Sequence, residues 1–427
     1  MTATAPASPG FKSVAPKLGF IGSFDGARGV GVCMVLVGHA LHKYVESWVT
    51  IIDSFFVLSG FLIASLLLQE QRVTGTVDLK KFFIRRGMRL LPSVWVFCAV
   101  WLVIGAVGSI LGVEGISFKE IGKDVLAALT YMYHVVFPNG LYTINPDMQN
   151  KRTMWHLWSL GVEEHFYFVI PFLIFFALKR NLIKAVGAMM AIGVVAIGVH
   201  RLMGYTGPFV SNGTPSGIRL AYLQRPDSLM MGVLLAIVNA HITPELGEKI
   251  RKPMTILGTI CLVIWFSMLN LSSTLVRKLG GPFFDYLPHG PADSPHSEIV
   301  KHWYWFRFGH TVGAAVFCVV AFCLCRYKDW WLSKLWTWEP LMWMGRRSYT
   351  LYVWHALPYL LILVLTGGDD VSLAFELLRA PFLIGAAFLI SIPMYKHVEM
   401  RAMNAKMKFI SDPTAVDVRT RKEAGKQ

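Results

Sequence analysis

The sequence predicts an all-α fold, a polytopic membrane helical bundle of about ten transmembrane helices, and three observations carry that prediction. Of 427 residues, 54% are hydrophobic and only 16% are charged, whereas ordinary soluble domains carry roughly a quarter charged residues. The apolar residues gather into runs close to the ~20 residues that cross a bilayer as helix. Those runs are continuously apolar and do not alternate, which favours helices over the strands of a closed barrel.

The opening MTATAPASPGFKSVAPK is polar, rich in Pro and Ala, and lacks a cleavable signal core, so residues 1–19 read as a disordered cytoplasmic tail. Spans follow near 27–42, 51–68, 90–112, 157–178, 182–199, 226–240, 254–271, 308–325, 349–366 and 379–396. The run 124–138, DVLAALTYMYHVVFP, is too short to cross and reads as an interfacial or re-entrant helix. Leaving it out places both termini on one side. Most of the 41 Lys and Arg residues then fall on 1–28, 69–89, 179–184, 241–253, 326–347 and 396–427, the pattern of cytoplasmic loops. Segment 326–347 holds five tryptophans and five basic residues and is expected to lie flat at the cytoplasmic headgroups. Residues 20–400 make one membrane domain without a clear internal repeat, and 401–427 a basic cytoplasmic tail. The expected location is the inner or plasma membrane, among its lipids, with N and C termini cytoplasmic.

The net charge of +15 argues for topology and against nucleic acid, because the basic residues are spread between apolar runs. The six cysteines lie within apolar segments, and Cys323 and Cys325 face no pair at zinc-ligand spacing. His289, His296 and His302 of the outer loop are irregularly spaced. No metal site is expected.

An ionisable group at membrane depth costs about 2.5–3.5 kcal/mol on insertion scales, so each has a partner or a task. Arg28 begins the first span, and His39 follows roughly 16 Å further along the helix, in the outer half. Asp53 enters with the second span, with Ser59 and Gly60 one to two turns deeper. The stretch MWHLWSLGVEEHFYFVIPFLIFFAL brings Glu163 and Glu164 in from the same side. Three helices thus carry His39, Asp53 and a glutamate to similar depth. An imidazole near neutral pKa can take a proton from a hydroxyl, with a carboxylate orienting it. The bland alternative is a histidine bonded to a neighbouring helix and two glutamates capping a helix start. On the other face, KKFFIRRGMRLLP sets Arg85 and Arg89 on one helical side beside Arg86. Planar guanidinium groups suit phosphates, and Arg28 joins them, while Lys80 and Lys81 read as anchors. Arg225 and Asp227, entering the sixth span, either contact an acceptor or form an interfacial ion pair.

Six stretches in order, FDGARGVGVCMVLVGHA, DSFFVLSGFLIASLLL, LKKFFIRRGMRLLP, WHLWSLGVEEHFYFVIP, QRPDSLMMGVLLA and GRRSYTLYVWHALP, make the chain resemble the acyltransferase-3 family of integral-membrane acyltransferases from about residue 20 to 400. The resemblance implies transfer of an acyl group, often acetyl, from cytoplasmic acyl-CoA as donor co-substrate. The implied acceptors are hydroxyls of glycans, glycolipids or related envelope molecules. It implies His39 as the essential histidine, Glu163 as the glutamate of the WSLxxE motif, and Arg28, Arg85, Arg86 and Arg89 as donor-binding arginines. Asp25, Asp53, Ser59, Gly60, Tyr349 and His355 fall on motif positions, and Glu164 and Tyr167 are supporting candidates beside them. Two positions depart from the family: His165 replaces the usual Gln, and Glu399 lacks the proline expected two residues later. Relatives of the family often add an extracytoplasmic esterase-like domain, which a separate partner would supply here.

The expected reaction has His39 as general base and Glu163 orienting or charging it, with Ser59 or Tyr167 polarising the carbonyl. An acyl-histidine route stays open. The rival readings are a proton-coupled transporter using His39 and Glu163 as a relay, and a non-catalytic scaffold. Paired broken helices or inverted repeats would mark a transporter.

Overall fold

The computed structural model describes residues 11–41, 45–113, 116–137, 152–204, 225–271, 309–366 and 372–406. Among them all regular structure is helical. The first half of the chain gives α1 (Gly22–Ala40), α2 (Ile52–Thr74), α3 (Leu79–Ile110), α4 (Phe118–Leu129), α5 (Tyr133–Val136), α6 (Trp158–Lys179) and α7 (Ile183–Gly204). The second half gives α8 (Pro226–Ala240), α9 (Pro244–Lys249), α10 (Arg251–Leu271), α11 (His310–Arg326), α12 (Trp331–Trp336), α13 (Glu339–Trp354), α14 (Ala356–Thr366), α15 (Leu373–Met394) and α16 (Met400–Lys406). Side chains accept from the first-turn amides where the sequence supplies them: Asp78 from Lys81 (2.9 Å), Ser117 from Glu120 (3.5 Å) and Thr243 from Leu246 (3.2 Å).

By length and composition six helices can cross a membrane: α2, α3, α6 with the 3-10 turn before it, α7, α10, and α15 with the helix that continues it. Helices α8 and α11 are apolar but shorter. Among the described residues each expected span falls largely on helix, yet the bounds of two differ from expectation. The helix of the third begins earlier, at Leu79, so KKFFIRRGMR is already helical and runs unbroken into the apolar stretch. The ninth is two helices, α13 and α14, meeting at His355.

Residues 339–347, expected to lie flat at the headgroups, form the first half of α13 and pack along α1. Glycine causes this. A Cβ on Gly345 would stand 1.7 Å from the Asp25 carbonyl oxygen, and one on Gly29 2.1 Å from that of Leu341. Small residues of this kind let helix backbones touch in lipid, where water no longer drives helices together. Helices α2 and α8 cross the same way, through Gly60 and Gly232.

The short run 124–138 becomes α4 and α5, laid against α3 with Ile121, Val125 and Ala128 buried. The main core joins α1, α2, α6, α8, α10 and α11 around Phe61, Val233 and Phe317. Facing outward are Val103, Phe168, Ile192, Val263, Phe382 and Leu389, all exposed. Such surface is a liability in water and a matched surface in lipid. Residues 11–18, which the sequence places in a disordered tail, lie across the ends of α2 and α8, with Val14 N donating to Ala240 O (2.9 Å). Residues 1–10 and 407–427 of the expected tails, and His289, His296 and His302, lie outside the described residues.

Candidate active site

Three imidazoles meet where α1 ends. The ring of His39, in the last turn of α1, stacks on His355 (centroids 5.1 Å, 14°) and meets the edge of Trp155 (4.7 Å, 84°). His156 packs on His355 at 5.2 Å. The last carbonyls of a helix have no intrahelical donor, and here two histidines supply one. His156 Nε2 lies 3.0 Å from Val353 O, and His355 Nδ1 2.7 Å from Tyr352 O. A carbonyl only accepts, so those ring nitrogens carry hydrogen and the tautomers are set. The opposite nitrogens, His156 Nδ1 and His355 Nε2, are buried lone pairs with no hydrogen-bond partner among the described residues. Tyr352 closes the group: its hydroxyl donates to His156 O and lies 2.6 Å from Ser159 Oγ.

A second cluster sits deeper. Ser159, Glu163 and Tyr167 recur every four residues on one face of α6. Glu163 is seven residues past His156, about 10 Å along the helix. Arg86 of α3 holds both carboxylates, with Nη2 3.7 Å from Glu163 Oε2 and Nε 3.3 Å from Glu164 Oε1. Its guanidinium lies 3.7 Å over the Tyr167 ring. Ser59 and Arg28 belong to the surroundings of Glu163, and Arg28 to those of Tyr167 as well.

The other two arginines of the expected trio separate. Arg85 pairs with Glu70 (3.2 Å), whose other oxygen accepts from Asp78 N, so it fastens the α2–α3 turn. Arg89 has no ion pair among the described residues, and its Nε is buried without a partner.

Asp53 does not join His39. Its oxygens accept from Arg225 (3.3 Å) and Ser228 (3.2 Å), and His310 Nδ1 lies 2.6 Å away. Trp158 covers Arg225 at 4.8 Å. Beside it, Arg201 grips Asp227 with both terminal nitrogens (2.6 and 2.7 Å), and Thr311 donates to the same carboxylate. Arg225 and Asp227 are therefore not partners of each other: each is neutralised by a different helix. The expected convergence of His39, Asp53 and Glu163 is replaced by three neighbouring clusters. Glu163 is engaged by Arg86, while the His39 ring is walled by aromatic and imidazole groups.

Of the remaining candidates, Tyr349 donates to Leu90 O (2.6 Å) and ties α13 to α3. Asp25 is buried at the α1–α13 contact. Glu399, in a π-helical turn after α15, is buried and accepts from Thr350. His165 packs on His134 (4.9 Å). The sequence reading missed His156, Tyr352, Arg201 and His310. The first two lie inside the quoted stretches WHLWSLGVEEHFYFVIP and GRRSYTLYVWHALP, so pattern alone could have flagged them. Arg201 and His310 sit at span ends where a charge normally reads as an interfacial anchor. Among the described residues no group of His, Cys, Asp and Glu is arranged to hold a metal ion.

A helical membrane protein with imidazole, arginine and carboxylate groups stacked inside its bundle is the class these features define. The chain belongs to the acyltransferase-3 family: the family's model, described as an acyltransferase domain, matches residues 21–396. It is similar to the peptidoglycan O-acetyltransferase OatA of Listeria monocytogenes, 26% identical over 384 residues, covering 89% of this chain and 55% of the relative. It is also similar to the O-acetyltransferase OatA of Staphylococcus aureus, 25% identical over 351 residues, covering 79% of this chain and 50% of the relative. The chain thus spans about half the length of the curated relatives it matches. No solved structure matches it.

Proposed function

We propose that the chain transfers an acyl group, acetyl by default, from acyl-CoA to a hydroxyl of a cell-envelope glycan, glycolipid or related molecule. The observation that carries this reading is the polar face of α6. It runs from the His39–His156–His355 group through Ser159 to Glu163, Arg86 and Tyr167, and so links an imidazole group to a guanidinium group inside the bundle. The names of the relatives support an acetyl group and a glycan acceptor.

In the proposed reaction a nitrogen of His39 takes the proton of the acceptor hydroxyl as its oxygen attacks the thioester carbonyl carbon. A C–O bond forms, the C–S bond breaks, and the proton passes from His39 to the departing thiolate. His355, stacked on His39 with its tautomer set by Tyr352 O, holds the His39 ring in place. Arg86, with Arg28 and Arg89 near it, supplies positive charge for the donor's phosphates. Glu163 and Glu164 fix the plane of Arg86, so Glu163 acts through arginine. The donor enters from the face where the arginine-bearing end of α3 lies and the acceptor from the other, with both termini on the donor side.

Purified chain carrying His39→Ala, incubated with acetyl-CoA and a glycan acceptor, should lose transfer by about 10²–10⁴-fold while eluting and melting like the parent. Transfer at the parental rate would refute the role of His39.

A further inference from the structure

A cavity of about 220 Å³ lies at the end of the bundle where α2 and α8 finish, beneath residues 13–18. None of its lining residues belongs to the His39, Arg86 or Arg225 clusters. The covering segment is tied down by three backbone contacts. Val14 N donates to Ala240 O (2.9 Å), Leu18 N to Gln69 Oε1 (2.9 Å), and Arg72 Nη1 to Ala15 O (2.5 Å). Ala15, within this segment, is itself buried.

The polar lining is Ser13, Lys17, Ser65, Gln69, Arg72 and Asn239, and it contains no carboxylate. Hydrogen bonds set the two amides. Gln69 Oε1 accepts from Leu18, and Asn239 Oδ1 accepts from Arg326 Nε at 2.7 Å. With both oxygens engaged, each amide has its N–H₂ left to offer, a donor and not an acceptor. Ser65 Oγ is fully buried without a hydrogen-bond partner among the described residues. The nearest carboxylate on α2, Glu70, is held by Arg85 and the Asp78 amide. What lines the cavity is therefore positive charge and hydrogen-bond donors, the complement of an oxyanion.

Size narrows the occupant. The volume far exceeds the ~10–15 Å³ one water needs, yet it falls short of the ~300–1,000 Å³ that take in a drug-sized molecule. It suits a phosphate and its first linking atoms, not a whole nucleotide cofactor. The position agrees: α2, long and apolar enough to cross a membrane, carries Arg72 in its last turn, and Arg326 bonds the last residues of α8, and the ends of a span are where a bilayer's headgroups meet a protein.

We propose that this cavity is an anion site for a phosphate group, separate from the arginines assigned to the acyl donor. A phospholipid headgroup and a soluble phosphate share that chemistry, and the experiment distinguishes them.

The full chain is purified into nanodiscs of phosphatidylcholine, with or without phosphatidic acid, and separately titrated with inorganic phosphate. Retained lipid is counted by native mass spectrometry, and melting is followed in parallel. Wild type should retain phosphatidic acid or be stabilised by phosphate. The first outcome makes the headgroup the source, the second a soluble anion. The pair Lys17→Gln and Arg72→Gln should bind about tenfold more weakly, while the exposed control Lys249→Gln binds as wild type. Ser65→Val, which removes a donor and narrows the cavity without touching a charge, should reduce binding as well and serves if the double variant melts early in neutral lipid. Equal binding by wild type and Ser65→Val, or no binding of either probe above the phosphatidylcholine baseline, overturns the proposal.

Discussion

Replacing Gly60 by alanine tests the packing on which the interior depends. An added Cβ would lie 2.2 Å from Leu229 O, 3.1 Å from Leu229 C and 3.2 Å from Val233 N, all backbone atoms of α8. Real Cβ atoms essentially never come within 3.0 Å of a neighbour. No rotamer relieves the clash, so the two helices must part by about 1 Å. Overpacking of this kind costs about 1–3 kcal/mol, occasionally more, and the absence of any side-chain escape puts Gly60→Ala at the upper end, about 3 kcal/mol. The displacement also reaches chemistry, because the start of α8 carries Arg225 and Ser228 to Asp53 on α2. The assay is denaturant unfolding in a mild detergent, followed by tryptophan fluorescence. Gly385→Ala on α15, where nothing lies within 4 Å, is the control; it should be neutral or stabilising by up to about 1 kcal/mol. If Gly60→Ala unfolds with Gly385→Ala at the parental midpoint, the close crossing of α2 and α8 is wrong.

Three further outcomes follow from the charged side chains. Asp227→Asn removes the charge that Arg201 grips with two hydrogen bonds in a fully buried site, and should destabilise by about 3–5 kcal/mol in the same unfolding assay. Arg86→Ala leaves Glu163 and Glu164 without their counter-charge and should cost about 3 kcal/mol; adding Glu163→Gln and Glu164→Gln should recover much of that loss, measured as a melting shift. Asp78→Ala at the start of α3 should cost about 1 kcal/mol at neutral pH. The Lys81 amide, and then the Lys81 charge, hold the Asp78 carboxyl below its usual range. Its contribution is therefore present above about pH 4 and fades as pH falls through the lowered folded-state pKa. Melting of parent and variant should converge in acid.

The helices were legible because lipid enforces them: a backbone at membrane depth must satisfy its own polar groups, so an apolar run becomes helix. Their ends were less so. Charge patterning assigned KKFFIRRGMR and 339–347 to the surface, since five arginines in those segments would be costly in lipid on their own. What cancels the cost is tertiary for two of them, Glu70 for Arg85 and Glu163 with Glu164 for Arg86, and local for Arg346, which pairs with Glu339 two turns away on α13. Sequence spacing does not pair residues 15 or 78 positions apart.

The site shows the same division more sharply. Counting residues along a helix gives depth, at about 1.5 Å per residue, but not the direction a side chain faces, which turns about 100° per residue. Depth alone set His39, Asp53 and Glu163 side by side. Direction then sends Asp53 toward α8 and α11, Glu163 toward α3, and leaves His39 to His355 and Trp155. The consequence is chemical. Arg86 and Arg225 take the carboxylates of α6 and α2, while the His39 ring packs against those of His355 and Trp155. In the proposed reaction the carboxylates hold guanidinium groups and the imidazoles serve the proton transfer. The roughly 10 Å of chain rise between His156 and Glu163 would then keep the base apart from the carboxylates that hold Arg86.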